Sequence, residues 1–321
     1  MITISSAASA WLKPLVRKTV PYPARQWVRA QQERFLQTKQ DLYERLVLRE
    51  QQFTNLEGVL NFDFKLSANG KRRGVSALLR VKNEQDKIYH CLASIYPIFD
   101  EIVFVDNGSE DRTLEIVRAF TDKQAKIRLY SYPFHIARCG PEHFNTPAHS
   151  VHSLCYYYNW SLSKCSFNYV CKWDGDMVLR KENRESFRHF LKQIQTNKKM
   201  CWIVYGQTVY RDVEGHYYLA RGEVNSEVRI FPGGLNPTFS KVDLYEMLRY
   251  DPALDEATFD EVVFYELKFA STDEFSHWSV RDIPTDRKKR ELENFHLIKS
   301  GDISTAKFEK LPSNFLDSQI G

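Results

Sequence analysis

Long hydrophobic runs are missing from the sequence, since none approaches the roughly 20 residues that a helix needs to cross a bilayer. The N-terminus also lacks the charged-then-apolar order of a secretory signal. The six cysteines include no CxxC pair and no finger-like spacing with histidine, which argues against structural zinc. Because a reduced compartment suits such cysteines, we expect a cytoplasmic protein.

The net charge is small as well. A formal charge of +4 on 321 residues calls for no nucleic-acid partner, and we expect none. The basic residues are unevenly distributed, because residues 1–30 carry five of them and no acidic residue, interleaved with aromatic and aliphatic side chains. This composition suits an anionic membrane surface, which would place the protein peripherally at the inner face of the cytoplasmic membrane. A solvated or self-packed arm fits the same residues equally well.

Composition divides the chain into two parts. Residues 1–73 are interpreted as a basic and aromatic N-terminal arm, followed by a helix at 31–53 and a polar linker at 67–74. Residues 74–321 are interpreted as one large domain. With 43% hydrophobic residues, the chain can bury a substantial core.

Strand and helix patterns alternate at the start of this domain. Strands are predicted at 75–81, 102–105 and 127–132. Apolar residues recur with helical spacing between them, at 88–95 and at 114–120. The short connections predict a βαβαβ unit with parallel strands and right-handed crossovers. In such a sheet, ligands bind at the carboxyl ends of the strands.

The carboxyl ends of the first two strands are polar. The first strand runs into Lys82-Asn83-Glu84, and the second into Asp106-Asn107-Gly108-Ser109. Ser109 is expected to cap the next helix, whose first turn would hold Glu110 and Asp111. These two strand ends are therefore the first candidates for a binding site.

Another strand end carries two carboxylates. The apolar strand at 169–173 runs into Asp174-Gly175-Asp176. A tight turn of this kind can aim both carboxylates at one hard cation, and Mg²⁺ or Mn²⁺ prefers such oxygen ligands. An isolated Asp-x-Asp is more often a surface turn, but its position after a buried strand and a βαβαβ unit favours a metal-diphosphate site.

Residues 75–120 resemble the opening half of family 2 glycosyltransferases, in which one strand ends in Asn-Glu and the next in Val-Asp-x-Gly-Ser before a helix. Asp174-Gly175-Asp176 is similar to the family's Asp-x-Asp motif, and Asn159 falls where the family commonly has Arg-Asn. The resemblance implies an α/β fold of the GT-A type, a Rossmann-like and mostly parallel sheet flanked by helices, here with an N-terminal helical arm. Residues 74–180 would then form the nucleotide-sugar half and residues 181–321 the acceptor half.

The same resemblance implies roles for individual residues. It implies a nucleotide-diphosphate sugar donor, with a UDP-sugar expected, and a divalent cation, Mn²⁺ or Mg²⁺. Asp174 and Asp176 would hold the cation, with His296 as a third ligand; a structural role is the alternative for His296. The residues implied to bind the donor are Asn83, Glu84, Asp106, Gly108, Ser109, Asn159 and Asp174.

Tyr158 departs from the family pattern, because an arginine often precedes the asparagine there. Arg80 and Lys82, at the end of the first strand, could supply the missing positive charge to the donor, or they could be solvated charges at a strand end. A later strand, predicted at 226–231, carries Arg229, which could line the same cleft or face water.

Inverting transfer needs a carboxylate that accepts the proton of the acceptor hydroxyl. Asp273 and Glu274 are the candidates, at the expected start of a helix and shortly before Trp278, which could stack on a sugar ring. The family's pair reads Glu-Asp whereas this one reads Asp-Glu, so the choice between the two stays open. Acidic residues in a helix's first turn need no such role. Glu266 and Asp260 are reserve candidates.

The predicted activity is inverting transfer of a sugar from a nucleotide diphosphate to a hydroxyl of a saccharide or lipid-linked acceptor. The family points to synthesis of a cell-surface polysaccharide, such as capsule or lipopolysaccharide, or of a glycolipid. One alternative is a non-catalytic module that binds a nucleotide or sugar. Another is a sugar-phosphate nucleotidyltransferase, but such enzymes generally begin with a Gly-rich basic loop, and none follows the first strand here.

Overall fold

The computed structural model describes residues 52–63, 71–121, 126–196, 199–235, 237–272, 274–277, 283 and 285–320. The basic arm predicted at 1–30 lies outside the described residues. So does most of the helix predicted at 31–53, although its last two positions form a strand, β1 (Gln52–Phe53). Within the described residues, no helix is both long and apolar enough to cross a membrane.

The first half of the domain is a βαβαβ unit. Its elements are β3 (Arg72–Val81), α1 (Ile88–Ile95), β4 (Glu101–Asp106), α2 (Thr113–Thr121) and β5 (Ile127–Ser131). β4 pairs in parallel with both β3 and β5. Every residue of β4 is buried, as expected for a strand that has a neighbour on each side in a sheet covered on both faces. The predicted α/β class and the parallel arrangement of the βαβαβ unit are therefore confirmed.

The rest of the described chain extends this sheet. Its elements are α3 (Pro141–Asn145), α4 (Leu154–Leu162), β6 (Phe167–Trp173), β7 (Met177–Leu179), a 3₁₀ turn (Lys181–Asn183), α5 (Arg184–Ile194), β8 (Met200–Arg211), β9 (Tyr217–Ala220), β10 (Asn225–Pro232), β11 (Thr238–Val242), β12 (Tyr245–Arg249), β13 (Asp255–Phe269), α6 (Asp286–Ser300), β14 (Phe308–Lys310) and α7 (Phe315–Ser318). The strand order is β14-β9-β8-β10-β6-β3-β4-β5. β6 joins β3 in parallel, whereas β10 runs antiparallel to β6 and β8. β13 pairs in parallel with β8 and antiparallel with β7.

Alternate side chains of β3 and β4 point to opposite faces of the sheet. Leu79 and Phe104 pack in one core with α1, α2 and α5, and Leu78 and Val103 pack in a second core with α4. This arrangement follows from the period of two in a strand, which divides a uniformly apolar strand between two layers. The sheet is thereby held rigidly between helices, and the carboxyl ends of its strands are left open.

A short hairpin precedes the predicted domain boundary at residue 74. β1 pairs antiparallel with β2 (Phe62–Asp63). In the connecting loop, Glu57 accepts hydrogen bonds from the hydroxyl of Ser150 at 2.6 Å and from the amide of Val151 at 2.9 Å. Residues 52–63 are therefore bonded to the α/β domain.

Two predicted helix starts differ from the structure. α2 begins at Thr113 and not directly after Ser109, because Asp111 accepts from the amide of Thr113 at 2.9 Å and the hydroxyl of Ser109 is used elsewhere. Glu274 lies in a turn, and the next helix, α6, begins only at Asp286 with Thr285 as its cap. The prediction that Asp273 and Glu274 begin a helix is therefore wrong at Glu274, and Asp273 lies outside the described residues.

Candidate functional site

A cleft of about 720 Å³ opens at the carboxyl end of β3, where the parallel sheet was expected to bind its ligand. We call it the first cleft. Its walls come from the end of β3, the start of α1, residues 135–138, α4 and the loop after β13. Among the predicted site residues, Arg80, Asn83, Glu84 and Glu274 line it.

The two polar strand ends are bonded to each other at the edge of the first cleft. Asn83 has a left-handed backbone with φ of +57°, and its amide donates to the hydroxyl of Ser109 at 3.0 Å. Its side-chain oxygen accepts from the amide of Glu110 at 2.8 Å. The amide of Glu84 donates to the hydroxyl of Thr113 at 2.8 Å. These contacts fix the loops after β3 and β4 before any ligand arrives, so Ser109 serves this junction rather than a helix cap.

Asp106 shapes the turn after β4. Its carboxylate is buried and accepts from the amides of Gly108 at 3.0 Å and Ser109 at 3.2 Å. Gly108 has φ of +67°, a backbone conformation that glycine adopts without steric cost. The neighbouring Asn107 lines the first cleft. Asp106 is thus placed beside the cleft, and the contacts that the structure gives its carboxylate are to the backbone.

Arg80 lines the first cleft, and its guanidinium group is buried against aromatic rings beside it. Its guanidinium carbon lies 3.5 Å from the ring centroid of Tyr158 and 5.2 Å from that of Phe239. The side chain is only 4% exposed, yet its Nε and Nη1 have no hydrogen-bond partner among the described residues. Tyr158 stands where the family often has an arginine, and its ring packs against Arg80, an arginine of β3.

Asn159 does not reach the first cleft, although it was predicted to bind the donor. It is buried on α4, where its amide nitrogen donates to the carbonyl of Phe239 at 2.8 Å. Its side-chain oxygen accepts from the amide of Phe239 at 2.7 Å. Both ends of the side chain are used to anchor β11, so Asn159 holds the fold beside the site.

Asp174 is surrounded by basic side chains. Its Oδ2 accepts from Arg229 at 2.9 Å, and its Oδ1 lies 4.0 Å from Arg80. Burial would raise the pKa of Asp174, but Arg229, Lys172 and Arg80 outweigh burial and lower that pKa to about 2. Asp174 is therefore ionised, and arginine already neutralises it.

Asp176 belongs to a second, buried ionic cluster centred on Lys268. The ammonium of Lys268 lies 2.7 Å from Asp176, 2.9 Å from Glu266 and 2.7 Å from Glu274. Burial would lower the pKa of Lys268, but these carboxylates raise it well above its usual range. Burial would raise the pKa of Glu274, and Lys268 and Lys87 together lower it. Lys268 is therefore an ammonium ion, and Glu274 is a carboxylate.

Glu84 and Lys87 link this cluster to the first cleft, which both residues line. The ammonium of Lys87 lies 2.8 Å from the carboxylate of Glu84. Burial raises the pKa of Glu84 to about 7, with further contributions from the nearby charges of Asp176 and Glu274, although Lys87 opposes the shift. Glu84 therefore gains and loses its proton near neutral pH.

Substitution of Glu84 by glutamine is expected to stabilise the protein more at about pH 8 than at about pH 5. The pKa of Glu84 is raised in the folded state, so the unfolded chain releases this proton first. The free energy of unfolding of the wild type therefore falls as the pH rises from the ordinary carboxyl pKa towards about 7. Glutamine carries no such proton, and the gain at alkaline pH should be on the order of 1–3 kcal/mol. Urea unfolding of the wild type and of Glu84→Gln at the two pH values measures this gain in the free energy of unfolding. An equal difference between the two proteins at both pH values would contradict the raised pKa of Glu84.

The carboxylates predicted to hold a divalent cation do not converge in this structure. Asp174 is bonded to Arg229, whereas Asp176 is bonded to Lys268. Among the described residues, the only three potential ligands within reach of one ion are Asp212, Glu214 and His216, in the turn between β8 and β9. In this arrangement, the predicted ligand set therefore does not fit a divalent cation.

His296 lies on α6, where it lines a second cleft of about 510 Å³. The second cleft also contains Lys299 and the rings of Phe275 and Phe295. Thr272 and Glu274 line both clefts, so these two residues lie between them. Trp278, the predicted stacking residue, lies outside the described residues, as does Asp273.

Sequence reasoning did not identify Lys87 or Lys268. The spacing of each lysine from a nearby glutamate could have indicated an ion pair. Lys87 follows Glu84 by three residues at the start of a helix. Lys268 follows Glu266 by two residues, so both side chains lie on the same face of β13, near its largely apolar end. A charged pair on one face of a buried strand requires partners, and Asp176 is one of them.

The segment that carries the polar strand ends matches a known protein family. Residues 76–135 match the profile of the family described as Glycosyl transferase family 2. The chain is similar to residues 1–349 of TarS from S. aureus in complex with UDP, with 16% identity over 60% of each chain and a TM-score of 0.37. It is also similar to glucosyl-3-phosphoglycerate synthase from Mycobacterium tuberculosis, in complex with Mn²⁺, UDP-glucose and phosphoglyceric acid. In that match, the sequences are 22% identical, the alignment covers 46% of this chain and 47% of that chain, and the TM-score is 0.28.

No curated protein matches the chain. The alignment with the first of these structures spans less than two thirds of its length. The matched profile covers β3 after its first four residues, all of β4 and β5, and both polar loops that meet at the first cleft. The match to glycosyl transferase family 2 is therefore carried by residues 76–135, which include both polar strand ends.

Proposed function

We propose that the protein transfers a sugar, with inversion, from a nucleotide-diphosphate donor in the first cleft to an acceptor hydroxyl presented from the second cleft. The observation that carries this proposal is the position of Glu274. Its carboxylate is ionised and lines both clefts, so it is available at the point where donor and acceptor would meet. A UDP-sugar is the expected donor.

The proposed reaction is a single displacement. Glu274 accepts the proton of the acceptor hydroxyl, and the oxygen forms a bond to the anomeric carbon while the bond from that carbon to the diphosphate breaks. The nucleoside diphosphate leaves with the bonding electron pair. Arg80 and Lys87, which line the first cleft, are placed to stabilise its negative charge.

The acceptor is proposed to be a saccharide or a lipid-linked saccharide. The second cleft contains the basic side chain of Lys299, while Phe275 and Phe295 are buried in its wall. A cationic side chain of this kind would favour an acceptor that carries an anionic group. Synthesis of a cell-surface polysaccharide or glycolipid remains the expected setting.

Calorimetric titration with UDP and a hydrolysis screen of nucleotide sugars test this function. We expect UDP to bind, and at least one UDP-sugar to be hydrolysed slowly without an acceptor, because water can replace the acceptor hydroxyl. Release of UDP is the measured quantity. Binding without any turnover would indicate a non-catalytic module, and failure to bind any nucleoside diphosphate would contradict the assignment of the first cleft.

A further inference from the structure

We propose that the ammonium group of Lys268 takes the place on Asp176 that the family resemblance gives to a divalent cation, so that the nucleotide diphosphate is bound by basic side chains without a metal. This inference rests on the proposed function, because it takes the first cleft to be the diphosphate site. It extends that function by naming the groups that supply the positive charge.

The contacts of Lys268 use its full hydrogen-bonding capacity. An ammonium group has three donors, and its three neighbours are the carboxylates of Asp176, Glu266 and Glu274, at 2.7–2.9 Å. The side chain is only 4% exposed. A divalent cation on the same oxygen of Asp176 would lie a few ångströms from this ammonium, and repulsion at that distance is strong in a buried site.

The charges around Asp176 are nearly balanced by the chain itself. Lys87 lies 2.8 Å from Glu84, and Arg287 lies 3.7 Å from Glu266. Arg287 also contacts Glu291, which lies 2.7 Å from Lys288. With Lys268, four basic groups therefore face five carboxylates in this group of ion pairs. Asp174 pairs separately with Arg229 at 2.9 Å, an arginine that also lies 3.1 Å from Glu227. Neither carboxylate of the Asp-x-Asp motif is left without a positive partner.

The first cleft also offers basic groups for the diphosphate. Arg80, Lys82 and Lys87 line it, and Arg80 has two guanidinium nitrogens with no partner among the described residues. A metal ion in such a reaction neutralises charge on the leaving diphosphate, and fixed arginine and lysine side chains can supply the same stabilisation. The lining of the first cleft and the buried ionic cluster thus both support diphosphate binding by basic side chains without a metal.

Calorimetry of the full chain with UDP, in EDTA and then in MnCl₂, is the first test. We expect the two dissociation constants to agree within about twofold, because the positive charge is part of the protein. Binding at least about tenfold tighter with Mn²⁺ would overturn this inference while leaving the proposed function intact. Absence of UDP binding in both conditions would overturn both.

Electron paramagnetic resonance of Mn²⁺ is the second test and needs no nucleotide. Wild-type protein should hold no Mn²⁺ that depends on Asp176. Lys268→Met should gain a site, because the three carboxylates can close on one cation once the ammonium between them is removed. Adding Asp176→Asn to that variant should remove the new site. Lys192→Met, which changes an exposed lysine on α5, is the matched control and should gain nothing.

Two outcomes of this second test would overturn the inference. One is Mn²⁺ binding by the wild type that disappears in Asp176→Asn; binding at the turn of Asp212, Glu214 and His216 would survive that change. The other is a Lys268→Met variant that is folded by circular dichroism yet gains no Mn²⁺ site. If Lys268→Met does not fold, the two wild-type titrations decide the question.

Discussion

Replacing Glu274 with glutamine should lower the rate of sugar transfer by about 10² to 10⁴-fold and leave the affinity for UDP within about twofold of the wild type. The carboxylate lines both clefts and is held as an anion by Lys268 at 2.7 Å. Glutamine keeps the shape of the side chain but cannot accept the proton of the acceptor hydroxyl. The loss should therefore fall on turnover, measured by UDP release with acceptor present, and not on donor binding.

Glu266→Gln is the matched control for this variant. Glu266 contacts the same ammonium at 2.9 Å, and its other oxygen accepts from Asn225 at 2.9 Å, but it lines neither the first nor the second cleft. It should slow transfer by less than about tenfold, since it perturbs the cluster without removing the base. An equal loss in both variants would show that Glu274 acts only by holding the cluster together.

Features that depend on neighbouring residues could be predicted from the sequence. The strands at β3, β4 and β5 and the helix α1 were predicted within a few residues, because their periodicity is local and their apolar runs are bounded by polar ends. The polar strand ends were identified for the same reason. Parallel pairing then brings Asn83 and Ser109 to the same edge, where they bond.

Features that depend on distant residues could not be predicted. Asn159 matched a family position, but its amide bonds to Phe239, which lies 80 residues further along the chain. Lys268 is 92 residues from Asp176, and no local pattern reveals that an ammonium would reach that carboxylate. The acidic pair after Thr272 resembled a helix start, yet Glu274 is fixed in a turn by its ion pair with Lys268.

Arg80→Met should weaken the binding of UDP by about 10- to 100-fold, with little change in thermal stability. Methionine can still pack on the ring of Tyr158, so the wall of the first cleft is kept while the charge and the donors are lost. The nitrogens Nε and Nη1 have no partner among the described residues, and charge-assisted bonds from them to phosphate would each contribute about 1.5–3 kcal/mol at most. The affinity of Arg80→Lys for UDP should lie between those of the wild type and Arg80→Met, because lysine keeps the charge without the planar guanidinium group.

Arg72→Met is the matched control, since Arg72 lies at the opposite end of β3. The guanidinium of Arg72 is 4.6 Å from the ring of Phe167 and donates to the hydroxyl of Ser166 at 2.9 Å. The substitution therefore removes the same charge from the same strand at a residue that does not line the first cleft. Its affinity for UDP should stay within about twofold of the wild type, by calorimetry. A comparable loss in both variants would point to net charge alone. Native affinity in Arg80→Met would show that the guanidinium of Arg80 does not bind the diphosphate, and the phosphate contact would then have to come from Lys82 or Lys87.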